Sequence, residues 1–544
     1  IEHRVSPVSV GLVDHPRNQE QFVFEYDLDG NTLILGLPGS GKSTFLQTLL
    51  YALFIKHTPA QIQVYGVDYS SRITACFESF PHCGGIVFEN EEEKLERLFH
   101  LLEKILDDRK KLIRGQSFFE YNKMSENKLP LVLFYIDQYS NFRNQVKDEM
   151  EEFLVKLSRE GIAYGIYLIF TTASLHSADI SFKLAKNFSK VYPLEMKEKF
   201  DYTEALNLMR IDTLPEQGIK GRGLMRMDDF ALEFQVAIVE ENLSDYDRAV
   251  KIKALGQDIN ASWKGIRPGL IPSIPENATF EIFMEDGNVQ NCLKDPALLP
   301  FAYNLKDALP HSISLIRSLG YLISGKSMTG KTNALQMIYR MAAKKGNVYY
   351  IDLTENMLHL PEYENACIIR DLDDMYQMCE SLIPILKDRN KKKKALEEED
   401  YTAEEIFANM ADEIPIFILI DGLTEFLEKL QSATDRYANI RPLLENFADK
   451  GKLHKLYFIM TLNSDQSSQV LGYRFINLLT KQIEGIHLGG NCISQRILNF
   501  DKLSYRQQNK ALKPGYAFVS TLDEDGATEI YVPMSKAGKK GGNQ

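Results

Sequence analysis

The sequence lacks any C-x-x-C pair: six cysteines lie scattered over 544 residues. That spacing supplies neither a disulfide framework nor a zinc signature and points to a reducing, cytosolic compartment. No apolar run approaches the roughly 20 residues that a helix needs to cross a bilayer. Positive charge is also in deficit. Lysine and arginine total 63 against 75 acids, a formal charge of −12, which argues against a non-specific grip on nucleic acid. The single tryptophan, Trp263, is read as an anchor for a junction. The chain begins at Ile1 and is expected to be a fragment of a longer protein whose membrane anchor or other domains lie outside it. Its length suits two or three domains.

What is present is a phosphate-binding pattern. Thr32 to Thr44 reads TLILGLPGSGKST, a short apolar run followed by Gly36, four residues, then Gly41, Lys42 and Ser43. Glycines at this spacing let the backbone curl so that its N–H groups face phosphate oxygens, and the following helix adds the positive end of its dipole. Gly36, Gly39, Gly41, Lys42, Ser43 and Thr44 are the expected nucleotide-binding residues. Lys42 would reach the β and γ phosphates of ATP, and the Ser43 hydroxyl would ligand Mg²⁺. Residues 43–56 read as the helix that the loop opens. Residues 62–67 read as a strand running into Asp68, an acid that either faces the site or caps a turn.

The other half of such a site should come from a buried strand that delivers an acid at its end. LVLFYID, residues 131–137, fits, and Asp137 is the expected catalytic and Mg²⁺-holding carboxylate. The next residue is Gln138, which can orient a water but has no basicity with which to take its proton. Binding is therefore a stronger inference than rapid hydrolysis. Between these motifs, residues 90–114 read as an amphipathic helix ending in Arg109, Lys110, Lys111 and Arg114. That basic cluster is either a solvated terminus or a source of an arginine that reaches a neighbouring subunit's nucleotide. A helix is expected over 148–159, then a buried strand over 166–170 ending in Thr171 and Thr172, hydroxyls that either sense a γ-phosphate or cap the next segment. Two strand-like runs after Gly221-Arg222-Gly223 read as an edge hairpin that closes the domain.

The plan then repeats. A proline-rich stretch over 264–300 leads to GYLISGKSMTGKT, with Gly325, Gly330, Lys331 and Thr332 in the places of the first loop. IFILID ends in Asp421, the second expected catalytic and metal-holding acid, and LYFIMT ends in Thr461. Gly36 to Gly325 is a displacement of 289 residues, Asp137 to Asp421 of 284 and Thr171 to Thr461 of 290. Three motifs in one order at nearly constant displacement indicate a tandem duplication. KPGYAFVS pairs with Gly221 to Met225, Gly515 matching Gly223. The second copy departs in two places: Gly422 follows its aspartate, and Lys326, Ser327 and Met328 stand between its loop glycines. On these grounds the first copy is the better expected nucleotide binder. The run DRNKKKKALEEED at 388–400 reads as an exposed, mobile helix extension or loop, with a partner contact as the alternative. The fold expected is α/β, two tandem RecA-like P-loop NTPase domains with mainly parallel central sheets. Their bounds are 1–260 with an N-terminal lead-in, a linker with lead-in strands over 261–300, 301–530, and a disordered tail over 531–544.

With both copies placed, the chain resembles the tandem cytosolic ATPase domains of the FtsK/SpoIIIE-like class, most closely those of the type VII secretion ATPases EssC and EccC. The resemblance rests on VGLVDHP, GLPGSGKSTFLQTL, YGVDYSS, GIAYGIYLIFTTA and GRGLM in the first copy, and on the doubling of the motifs. It implies the last two ATPase domains of a membrane-anchored hexameric motor at the cytoplasmic face of the cell membrane. The partners it implies are other subunits of the secretion machine and exported small helical-hairpin proteins. Gln138 and Gly422 place both domains with the poorly hydrolysing members. A DNA-translocating motor of the same class is the rival reading, and a nucleotide-inert cargo-docking scaffold is another. The acidic balance and the absence of a recognisable DNA-reading module after the second core weigh against DNA.

Overall fold

A computed structural model of the protein describes residues 5–354, 360–480, 483–493, 495–520 and 529–536. The chain folds as two compact units, 1–272 and 273–544. Each holds the same six-stranded parallel block, in one strand order.

In the first unit that block is Cys83–Phe88, Ile62–Asp68, Leu131–Asp137, Ile166–Thr172, Thr32–Leu35 and Lys190–Pro193, side by side in this order and all parallel. The uninterrupted apolar runs follow from burial on both faces, since helices cover each side of a parallel sheet. Alternate residues of one strand serve opposite layers. Leu133 and Tyr135 join Phe45, Leu46, Leu49 and Leu53 of the helix Lys42–Lys56. Val132, Phe134 and Ile136 join Leu95, Leu98 and Leu102 of the helix Glu92–Ile113 on the other face. The helix Asp148–Glu160 adds Leu154 and Leu157 to that second layer.

The lead-in strands and the late hairpin do not extend this block. Val8–His15 and Glu20–Tyr26 pair with Phe230–Val236 and Arg222–Met227 in a separate four-stranded antiparallel sheet. Phe230–Val236 buries only alternate residues, a one-sided pattern that suits a half-solvated antiparallel sheet better than the edge of a doubly covered one. The expected hairpin is present, with Arg222–Met227 as the edge strand of this separate sheet and not of the central one.

The second unit repeats the parallel block with Ala366–Ile369, Asn347–Asp352, Ile416–Asp421, Leu456–Asn463, Gly320–Gly325 and Glu484–Gly490. Here the antiparallel strands are joined on: Leu512–Ser520 pairs with Glu484–Gly490, and the sheet continues through Glu529–Tyr531 and Leu298–Asn304 to Pro310–Ser314, ten strands in all among the described residues. The α/β fold with two central, mainly parallel sheets is as expected.

Other expectations need correction. Part of the expected linker is structured: Phe280–Glu285 and Gly287–Lys294 are helices whose first turns are capped by the Thr279 and Asp286 side chains. Those caps compete successfully with the proline signal, which is confined to the residues before them and to Pro296 and Pro300. Of the expected tail, Tyr531 ends a strand and the Ser535 backbone N–H donates to Asn333 Oδ1 at 2.8 Å. Residues 537–544 lie outside the described residues. The charged run takes the helix-extension form of its two expected forms, Asp388 to Glu398 being the last part of a 27-residue helix, Leu372–Glu398, but it is not wholly exposed, since Arg389 and Lys393 are buried.

That helix reveals a repeated strut. Arg389 is 4% exposed and donates to the carbonyls of Ile414 (2.7 Å) and His454 (3.5 Å) and to Glu413. In the first unit Arg109, 6% exposed, donates to the carbonyls of Pro130 (2.7 Å), Tyr164 (2.7 Å) and Gly165 (3.0 Å). Each guanidinium thus ties the chain just before the acid strand to the chain just before the threonine strand, and burial lowers the Arg109 pKa to about 10. Neither side chain is available to reach a neighbouring subunit. Arg114 remains exposed, at the left-handed end of its helix. Arg109→Met should destabilise its unit by about 2–4 kcal/mol, because it strands buried carbonyls. Urea unfolding checks this, and a change within about 0.5 kcal/mol, typical of a surface position, would contradict the strut.

Candidate functional site

Both sites lie at the C-terminal ends of the parallel strands, where such sheets gather ligands. In the first unit the strand Thr32–Leu35 ends in the glycine loop, and Gly41 (φ 99) opens the helix Lys42–Lys56 with no side-chain cap. The first helical N–H groups are thereby left for an anion. Lys42 Nζ donates to the carbonyls of Gly36 (2.7 Å) and Leu37 (3.0 Å), folding over the loop, and burial lowers its pKa. Thr44 stands half-buried on the same turn.

Asp137 is the hub. Its carboxylate accepts from Ser43 Oγ at 2.7 Å and from Thr171 Oγ1 at 2.5 Å, and Thr171 Oγ1 in turn accepts the Gln138 N–H at 2.9 Å. Burial, and secondarily Asp68, push the Asp137 carboxyl up to about 6 against the opposing pull of Thr171, Ser43 and Lys42. Thr171 is thus committed to the carboxylate and is not left over as a phosphate sensor. Asp68 itself caps a turn, accepting from the N–H groups of Ser70, Arg72 and Thr74 and from the Thr74 hydroxyl.

The second unit rebuilds the arrangement. Lys331 Nζ donates to Lys326 O at 2.7 Å. Asp421 accepts from Thr461 Oγ1 at 2.7 Å and more loosely from Thr332 Oγ1 at 3.4 Å, while Gly422 N–H donates to Thr461 Oγ1 at 2.8 Å. The Tyr350 hydroxyl adds a donor at 3.1 Å. Nothing in the sequence singled out Tyr350, since a tyrosine in a buried strand reads as core. Lys331, Thr332, Asp421, Gly422, Glu425 and Thr461 share a cleft of about 910 Å³.

Two backbone details explain what the residue types left open. The residue after each aspartate is left-handed, Gln138 at φ 63 and Gly422 at φ 79. Glycine meets that demand without strain and glutamine does not. Met328 takes the left-handed place of Gly39, at φ 62 against 83, with its side chain 95% exposed. The second loop therefore keeps the curl despite its missing glycine. Each loop is also pinned from outside: Gly221 N–H donates to Ser40 O at 2.8 Å, and Gly515 N–H to Thr329 O at 3.2 Å. By these bonds Gly515 corresponds to Gly221, not to Gly223 as the sequence spacing suggested.

Below its raised pKa Asp137 is protonated in the native chain while the unfolded carboxyl, with a pKa of 3.8, is ionised. The native state then binds more protons, so this group's contribution to stability falls as pH rises from about 4 to about 6. Thr171→Val removes a donor that favours the carboxylate, so the Asp137 midpoint should move above its wild-type value. Carbon NMR of the carboxyl checks both midpoints, and a wild-type midpoint near 4 would contradict the burial argument.

Comparison with known proteins gives likenesses of sequence and of fold. Residues 2–127 match the sequence profile of the FtsK/SpoIIIE family. The ESX secretion system protein YukB of Bacillus subtilis (strain 168) is 23% identical across 96% of this chain, which spans 34% of YukB. EccC of Geobacillus thermodenitrificans (strain NG80-2) is 27% identical across 60% of this chain and 22% of EccC. The type VII protein EssC of Staphylococcus aureus (strain MRSA252) is 24% identical across 65% of this chain and 24% of EssC. The chain thus spans from about a fifth to a third of these curated relatives. Among solved structures, EssC ATPases 2 and 3 from Geobacillus thermodenitrificans superpose with a TM-score of 0.78 at 19% identity, over 98% of both chains. Thermomonospora curvata EccC ATPases 2 and 3, in complex with a signal sequence peptide, give 0.61 at 18% identity, over 98% of this chain and 94% of that one. The resemblance to FtsK/SpoIIIE-class secretion ATPases and the tandem fold stand on these likenesses.

Proposed function

We propose, from the premise that the chain is a relative of the FtsK/SpoIIIE-class type VII secretion ATPases, that it is the tandem nucleotide-binding part of a protein secretion motor. The observation that carries this reading is the recurrence of one constellation, lysine, hydroxyl, strand-end aspartate and threonine, at two loops 289 residues apart. A fold kept only as a scaffold has no need to hold a buried carboxylate against a loop hydroxyl twice.

In the first unit Gly36, Gly39 and Gly41 shape the phosphate cradle, Lys42 turns from its loop carbonyls to the phosphates, and Ser43 with Asp137 holds Mg²⁺. Gly325, Gly330, Lys331, Thr332 and Asp421 take these parts in the second. A hydroxyl beside a carboxylate is the hard-oxygen donor set that Mg²⁺ favours, with phosphate oxygens and water completing its shell. When bound, the ion neutralises charge on the transferring phosphoryl group. No glutamate directly follows either aspartate, so hydrolysis is slow and nucleotide state serves chiefly to set the arrangement of domains or subunits.

The relatives' names support a place beside other subunits of a secretion machine, and the solved cytoplasmic domain of EssC supports the cytoplasmic face of the membrane; a hexameric assembly is what the family resemblance implies. The signal peptide seen with the Thermomonospora protein supports recognition of a segment of small helical-hairpin cargo. A formal charge of −12 disfavours DNA as the translocated polymer.

Titration with a fluorescent ATP analogue should count two Mg²⁺-dependent sites per chain. Lys42→Ala and Lys331→Ala should each weaken one of them at least about tenfold, the loss of one charge-assisted phosphate contact. Absence of Mg²⁺-dependent binding in the unmodified chain would sink this reading in favour of the inert scaffold, and unchanged stoichiometry in both variants would place the nucleotide away from the two loops.

A further inference from the structure

The second site has an acid where its sequence motif lacks one. Gly422 caps the helix Leu423–Gln431, and Glu425 stands on the first turn of that helix. A Cβ placed on Gly422 would lie 2.9 Å from Glu425 Oε2 and 2.6 Å from Thr354 Cγ2. The Glu425 carboxylate therefore fills the space into which a side chain following Asp421 would project. It is exposed to the cleft that also holds Lys331, Thr332 and Asp421, and its charge is felt by the Lys331 ammonium. No hydrogen bond among the described residues ties it down.

The first unit has no acid at the equivalent position. At the displacement of 284 residues set by the two aspartates, Glu425 corresponds to Asn141, whose amide donates to Tyr69 O at 3.3 Å. An amide cannot accept a proton from water at neutral pH.

We propose that Glu425 is the general base of the second site, so that the chain's residual hydrolysis belongs there and not to the first site. This rests on the nucleotide-binding reading above. As a water oxygen forms its bond to the γ-phosphorus, Glu425 takes the water's proton. The bond from the γ-phosphorus to the β–γ bridging oxygen breaks, its electron pair leaves with ADP, and inorganic phosphate is released. Gly422 then has a reason beyond its left-handed backbone: any side chain there would displace the base. An acid in the first turn of a helix also serves the helix dipole, and that simpler role predicts an effect on stability alone.

The test uses the full chain carrying Lys42→Ala, so that only the second site loads with ATP. Three quantities are read: affinity for a fluorescent ATP analogue, the ratio of ATP to ADP recovered from the protein after incubation, and the urea midpoint. Adding Glu425→Gln should leave affinity within about twofold and the midpoint unchanged. It should slow phosphate release by about 100-fold or more, in the range general bases contribute, and the recovered nucleotide should shift from ADP to ATP. Glu425→Asp, which keeps a base on a shorter arm, should fall between. Wild-type phosphate release in the Glu425→Gln chain overturns the proposal. So does a Lys42→Ala chain that binds ATP and never converts it, or a loss of turnover that only tracks a lowered midpoint. Failure of the Lys42→Ala chain to bind ATP at all would instead remove the nucleotide reading beneath it.

Discussion

A carboxylate buried at the end of a strand is the constraint on which each unit turns. Asp137 is fully enclosed, and burying a charge unpaired is among the costliest things a fold can do. The chain meets the cost with hydroxyl donors from two directions, Thr171 from the adjacent strand and Ser43 from the phosphate-loop helix. Those donors can meet only if the loop strand, the threonine strand and the acid strand lie in this order, as they do in both units. The bond that offsets burial is therefore also the bond that sets the site. It remains imperfect, since the Asp137 carboxyl is held up near 6. A carboxylate short of full compensation is one that an added cation would stabilise further.

Around that hub each unit carries two braces. Arg109 and Arg389 bind the starts of the acid and threonine strands from below, fixing how far the strand ends advance. Gly221 and Gly515 hold the loop from the antiparallel side. The units diverge around the same scaffold: the antiparallel strands form their own sheet in the first and continue the central sheet in the second. The residue after the aspartate diverges as well, and with it the chemistry open to each site.

Much of this was legible in the residues because backbone shape and burial leave few alternatives. A loop that aims N–H groups inward demands glycines at fixed spacing, and a strand covered on both faces demands an apolar run, so Gly36, Gly41, Asp137 and their counterparts were readable. The struts were not. Arg109 sits in a run with Lys110 and Lys111, and Arg389 before four lysines within a charged stretch, so composition suggested solvent while the fold buries Arg109 in the first run and Arg389 and Lys393 in the second. The helices at 280–294 were hidden by the prolines before and after them, although Thr279 and Asp286 were available as caps. The ranking of the loops was also incomplete. A missing glycine at 328 suggested a poorer second site, but the backbone keeps its curl there, and the acid that matters stands one helical turn away from the position where a motif would seek it.

The most direct measurement is a crystal of the chain grown with Mn²⁺ and a non-hydrolysable ATP analogue, with metal positions read from anomalous scattering. The account predicts two metal peaks per chain, one between Ser43 and Asp137 and one between Thr332 and Asp421. Analogue bound at the loops with no metal beside either aspartate, or metal at sites remote from both, would contradict it.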